Sequence, residues 1–144
     1  MASFEPEALM ACLDTTILID LVGRASPRKR QAVRKIKQLA DEGQTLATTR
    51  FNMAELYVGL ARSNHPEADD KVIATLLRDF EILEFTDAAA RVFGSITGFL
   101  QQIGRPAGDM DVLIAATVLL HGHTLVTRNA KHFQHIPQLI VEQY

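Results

Sequence analysis

Four acidic residues stand out: Asp14 closes "MACLD", Asp109 and Asp111 open "DMDVLIAATVLL", and Glu55 lies within "AELYVGL". Asp14 precedes Ile17, Leu18 and Ile19 in an apolar run, where a charged carboxylate is costly unless paired, hydrogen-bonded or bound to a metal. Carboxylates gathered within a few ångströms repel one another, and a hard divalent cation that prefers oxygen resolves the conflict. Mg²⁺ or Mn²⁺ is the natural tenant. Such an ion holds a phosphate oxygen, lowers the pKa of a bound water and stabilises charge on attacking and leaving oxygens. Hydrolysis of a phosphodiester is the expected reaction.

Whether these acids meet depends on the elements that carry them. "MACLD" (10–14) is a short apolar strand that runs at Asp14 into a helix from Thr15 to about Val22, stopped by Gly23. Ser26 and Pro27 start a strongly amphipathic helix that continues to Gly43. "TLATT" (45–49) is a strand followed by the helix "RFNMAELYVGLARS", so the β-then-α pattern repeats. A helix from about Glu67 to Asp79, the strand "EILEF", a helix 87–103 capped by Thr86 and the loop "GRPAG" come next. Asp109 is expected to cap a nearly all-apolar helix; "TLVT" (124–127) is a fourth strand, "NAKHF" a turn or short helix, and "QLIVEQ" a final strand.

Strands alternating with helices predict an α/β fold, a three-layer α/β/α sandwich around a mostly parallel sheet of about five strands. One domain over 1–144 is expected from the length, the 47% hydrophobic content and the absence of repeats or linkers. Ligands of such folds gather at the carboxyl ends of the strands. Asp14 ends the first strand there. Glu55 is about one and a half turns into its helix, and helical side chains lean towards the N-terminus, so its carboxylate points back to the same edge. The helix from Asp109 must begin at that edge if the strand after it is parallel to the first. Thr127 closes that strand and Asn129 follows it, so one edge collects Asp14, Glu55, Asp109, Asp111 and Asn129.

The remaining composition sets bounds. A net charge of −2 argues against coating nucleic acid by bulk positive charge, although a local basic groove is compatible with it. The single cysteine, Cys12, excludes an intramolecular disulfide and fits a reducing compartment, with the cytoplasm as default. "MASFEPEALM" is unlike a secretory signal, and "VLIAATVLL" is far short of the roughly 20 residues that span a bilayer, so no membrane association is expected.

Taken together, "LDTTILIDLV", "AELYVGL" and "GRPAGDMDVLIAATVLLHGHTLVTRNAKHF" resemble the PIN-domain ribonucleases, specifically the VapC-type toxins of toxin–antitoxin pairs, over about residues 11–139. No single block is informative, but all occur in the family's order. The resemblance implies that Asp14, Glu55 and Asp111 form the central acidic triad, with Asn129 at a fourth position that is Asp in many members. Asn129 brings no charge, which puts a second ion in question and makes Asp109 the candidate to supply the charge. Thr16 and Thr127 map onto polar supports of the metal site. The resemblance further implies Mg²⁺- or Mn²⁺-dependent endoribonuclease activity, a homodimer with a shared groove, and a cognate VapB-like antitoxin that inserts a basic residue into the acidic pocket.

Other readings stay open beside it. A PIN-like scaffold that binds RNA or protein with weak or no catalysis fits the same residues. A receiver-like phosphate-signalling domain also places Asp and Thr at such an edge, but its acidic pair and strand-ending Lys are not evident. Arg24 to Lys37 holds seven basic residues and no acid, either a solvated helix face or an RNA contact through Arg28, Lys29 and Arg34. Asp20, six residues into its helix, reads as a solvated or salt-bridged surface residue. The late histidines lack ordinary zinc spacing, and Gly94 and Gly98 predict close packing of their helix.

Overall fold

The first strand is buried on both sides, as a parallel sheet with helices on each face requires. In the computed structural model, which describes residues 10–144, β1 (Met10–Leu13) has Ala11, Cys12 and Leu13 fully buried. Cys12 packs on one side of the sheet, Ala11 and Leu13 on the other, the strict alternation of a strand. The reading of the N-terminal segment as unlike a secretory signal concerns residues 1–9, which lie outside the described residues.

The strands β1, β2 (Thr45–Thr49), β3 (Glu81–Leu83), β4 (Thr124–Thr127) and β5 (Val141–Gln143) form one sheet in the order β3-β2-β1-β4-β5, every pair parallel. The first-face helices α1 (Thr15–Val22), α2 (Pro27–Asp41) and α4 (Pro66–Leu77) bury Ile17, Leu18, Leu39 and Ile73 with Leu13 and Val126. The opposite face carries α5 (Asp87–Gln102) and α6 (Asp109–Leu120), with Ile96, Leu100, Ile114 and Val118 packed around Cys12 and Leu125. Between them α3 (Arg50–Ala61) sends Leu56 to the first core and Phe51 to the second. A 3-10 turn, Ala130–Phe133, joins β4 to β5.

This is the three-layer, parallel arrangement predicted from the alternation of elements, now with every pair parallel. Local chemistry sets most boundaries as expected. Ser26 accepts from the Lys29 N–H ahead of Pro27, and Thr86 accepts from the Ala89 N–H. The middle of α6 is apolar because it is largely buried from Val112 to Val118, including Thr117, whose hydroxyl is turned onto the Leu113 carbonyl.

Four expectations need correction. Gly108, with extended φ and ψ, occupies the cap of α6, so Asp109 is already inside the helix. It still gains there from the helix dipole. β3 ends at Leu83 and β5 begins at Val141, because pairing with β2 and β4 lasts only that long. Asp20 is salt-bridged, one of the two roles expected of it, but it is buried rather than at the surface, with both carboxylate oxygens bonded. A Cβ at Gly94 or Gly98 would meet nothing within 4 Å among the described residues, so the helix packs on the core through Ile96 and Leu100 and the two glycines face away from it.

Candidate active site

The chain reverses its direction across the sheet between β1 and β4, and a crevice opens at such a switch point, outside the carboxyl ends of the strands. Asp14 is the first residue past β1, and its own N–H still donates to the Val126 carbonyl of β4 at 2.9 Å. It occupies the cap position of α1, yet its side chain makes no cap hydrogen bond. Its carboxylate is engaged elsewhere. Asn52 Nδ2 donates to Oδ1 at 3.1 Å and Thr127 Oγ1 donates to Oδ2 at 2.7 Å. Asp14 is thus 6% exposed, with both oxygens aimed by buried donors.

The donors are themselves fixed. Thr49 caps α3: its hydroxyl accepts from the Asn52 N–H at 3.1 Å, while Asn52 Oδ1 takes the Thr49 hydroxyl at 2.7 Å and the Thr49 N–H at 3.3 Å. That reciprocal capping box leaves the Asn52 amide nitrogen free to reach Asp14 and the Thr15 hydroxyl, 2.9 Å away. Thr15 in turn donates to Glu55 Oε1 at 2.6 Å. On the other side, the Asn129 N–H donates to Thr127 Oγ1 at 3.1 Å and the Arg128 N–H to Thr16 Oγ1 at 3.0 Å.

Glu55 and Asp111 are both pushed above the usual carboxylate range. For Glu55 burial is the main cause; the Thr15 hydrogen bond opposes it, and the charges of Asp14 and Asp111 add to it. For Asp111 burial again leads, opposed by His132 and reinforced by Asp14. The three carboxylates therefore act on one another across the open edge. His132, on the 3-10 turn, brings Nδ1 to 3.6 Å from Asp111 Oδ2. Among the described residues, no group of three or more His, Cys, Asp or Glu side chains is placed closely enough to hold a metal ion without moving.

The edge thus brings together Asp14, Glu55, Asp111, Thr16 and Thr127. Asp109 is exposed, and Asn129 is exposed with only its main chain tied to the site. Arg28 and Arg34 are exposed on α2, whereas Lys29 is half-buried with its ammonium on the Gly23 carbonyl at 2.9 Å. Asn52, Thr15 and His132 were not singled out from sequence. The "TxxN" spacing of Thr49 and Asn52 is the one local signal that marks the first of them.

The PIN domain family model matches residues 11–139, a span that contains every one of these positions. The chain belongs to the PIN domain family. Curated relatives of this PIN domain include Ribonuclease VapC2 of Rickettsia felis, 32% identical over 107 residues, which are 74% of this chain and 80% of that protein. Ribonuclease VapC2 of Haemophilus influenzae is 29% identical over 132 residues, covering 92% of this chain and 96% of that one. Among solved structures, VapBC2 from Rickettsia felis bound to a DNA fragment from their promoter superposes with a TM-score of 0.85 at 28% identity. That match covers 94% of this chain and 99% of that chain. The PIN strand order also differs from the 2-1-3-4-5 order of receiver domains, which removes that reading. Among the described residues, no helix is long and apolar enough to cross a membrane.

Proposed function

We propose that this PIN domain is a metal-dependent endoribonuclease and the toxin of a toxin–antitoxin pair, acting in the cytoplasm. The observation that carries the reading is the convergence of Asp14, Glu55 and Asp111 at the switch point, where burial first, and then the neighbouring carboxylate charges, raise the last two. The donor set fits a hard ion: three carboxylates, no thiolate, and a standing excess of negative charge that a cation relieves.

Asp14, Glu55 and Asp111 would hold Mg²⁺ or Mn²⁺, with Asp109 and Asn129 as further candidates. When bound, such an ion polarises a phosphoryl oxygen and lowers the pKa of a water in contact with it. Asn52 and Thr127 orient the Asp14 carboxylate by donating to its two oxygens. Thr15 likewise donates to Glu55 Oε1. Arg28, Lys29 and Arg34 supply backbone contacts to an RNA strand.

The named relatives are ribonucleases and the Rickettsia felis structure is a VapBC2 assembly, which supports a VapB-like partner here, while a homodimer follows from the family resemblance alone. An apolar cleft of about 300 Å³ between α1, α3 and α4, lined by Ile19, Val22, Leu60 and Val72 and ending at Glu55, suits the antitoxin segment. The test is RNA cleavage with Mg²⁺ or Mn²⁺ by wild type, Asp14→Asn and Asp111→Asn. Loss of at least about 100-fold in each variant, with the fold retained, is expected of groups that hold the ion. Cleavage that survives both substitutions would falsify the assignment. Ion binding without any cleavage by wild type would favour the non-catalytic scaffold.

A further inference from the structure

A second polar network lies behind the site and uses none of its carboxylates. Asp20 stands four residues after Thr16 in α1, so both face the same way. Asp20 is 8% exposed, and each of its oxygens is taken: Oδ1 by Arg128 Nη1 at 3.3 Å, Oδ2 by the Tyr144 hydroxyl at 2.7 Å. Arg128 is held at both ends, because its main-chain N–H donates to Thr16 Oγ1 at 3.0 Å. Thr16 Oγ1 lies 3.4 Å from Thr127 Oγ1, the hydroxyl that donates to Asp14. Burial, with the adjacent Asp20 carboxylate, raises Tyr144 well above the usual phenol range, so its hydroxyl remains a donor at any working pH.

A buried ion pair alone is a weak stabiliser, since desolvation offsets much of the attraction. This one ties α1, the exit of β4 and the residue after β5 to the two threonines that surround Asp14. We propose that Asp20, Arg128 and Tyr144 are positioning residues, a latch that sets the orientation of the Asp14 carboxylate through Thr16 and Thr127. The latch rests on the reading of Asp14 as a metal ligand. Partners of ligands at this remove typically change ion affinity or activity by about 10–100-fold when lost.

The full chain is titrated calorimetrically with Mn²⁺ as wild type, Tyr144→Phe, Asp20→Asn and Arg128→Ala, with melting temperatures and, on an RNA strand, kcat and KM. Glu142→Gln is the control: it breaks a different ion pair on β5, that with Lys35, which shares no side-chain hydrogen bond with Asp20, Arg128, Tyr144 or Thr16. Asp20→Asn and Arg128→Ala are expected to weaken Mn²⁺ binding and lower kcat by about tenfold with KM unchanged. Tyr144→Phe, the mildest change, shifts both in the same direction, and the control loses melting temperature without losing Mn²⁺ affinity. Wild-type affinity in Asp20→Asn and Arg128→Ala overturns the latch, as does a loss that the control shares. A higher KM with unchanged kcat and Mn²⁺ affinity in Arg128→Ala makes Arg128 an RNA contact and also overturns it. If wild type binds Mn²⁺ but cleaves no RNA, the nuclease reading fails while the titrations still decide the latch; if it binds no Mn²⁺, the latch fails.

Discussion

The side-chain amide of Asn52, third residue of α3, donates to Asp14 Oδ1 across 38 positions of sequence. The same side chain closes the capping box of α3, so the start of a helix and the aim of a carboxylate depend on one residue. Asn52→Ala removes both contacts and leaves Asp14 with one fewer donor in a buried place. A loss of about 1–3 kcal/mol is expected for an unsatisfied buried partner, read by denaturant unfolding in chelator. Unchanged stability would show that Asp14 finds another donor.

Asp111→Asn is expected to stabilise the ion-free protein. The folded state disfavours the ionised Asp111 through burial and the Asp14 charge. Removing that charge raises the melting temperature in chelator while abolishing the further rise that Mn²⁺ gives wild type. A melting temperature lowered in chelator would contradict this account.

The pH dependence follows with a definite sign. A carboxylate raised in the folded state binds more protons there than in the unfolded chain, so stability falls as pH rises. For Glu55 and Asp111 that loss begins near the ordinary carboxylate pKa and is complete once pH has passed their raised folded values. Melting in chelator across this window should show it, and the slope should flatten in Asp111→Asn with Glu55→Gln.

Ion binding runs the other way, because ligands must be ionised. Mn²⁺ affinity is expected to fall on acidification from a pH above that at which an ordinary carboxylate titrates. Calorimetry at several pH values checks this: an affinity that holds until the ordinary carboxylate range argues that neither Glu55 nor Asp111 is a ligand.

Arg28 and Arg34 are exposed, and neither belongs to an ion pair among the described residues. If they follow an RNA backbone, each lost contact reduces the salt slope by about 0.7 for a single strand. Arg28→Glu and Arg34→Glu should raise KM with kcat unchanged. Lys29→Ala should do less, since its ammonium already rests on Gly23. Equal effects of all three would point to bulk charge.

Much of this was legible in advance because it is local. The alternation of strands with capped helices predicts the layers, and the lean of helical side chains places Glu55 at the edge. Asn52 escaped because its role needs Asp14, which local periodicity cannot pair with it. The burial of Asp20, though not its ion pair, escaped for the same reason: Arg128 and Tyr144, which make that burial tolerable, lie 108 and 124 residues away. The cap of α6 fell one residue early because Asp is the stronger signal, while Gly108 took the extended conformation.

The central position of β1 has a consequence for synthesis. β1 pairs early with β2, but its other edge waits for β4, and the Thr127 donor to Asp14 lies 113 residues downstream. Distant pairings of this kind form late because loop closure must precede them. A nascent chain halted before β4 therefore carries Asp14 with the Asn52 amide as its donor but without the Thr127 hydroxyl that fixes its second oxygen.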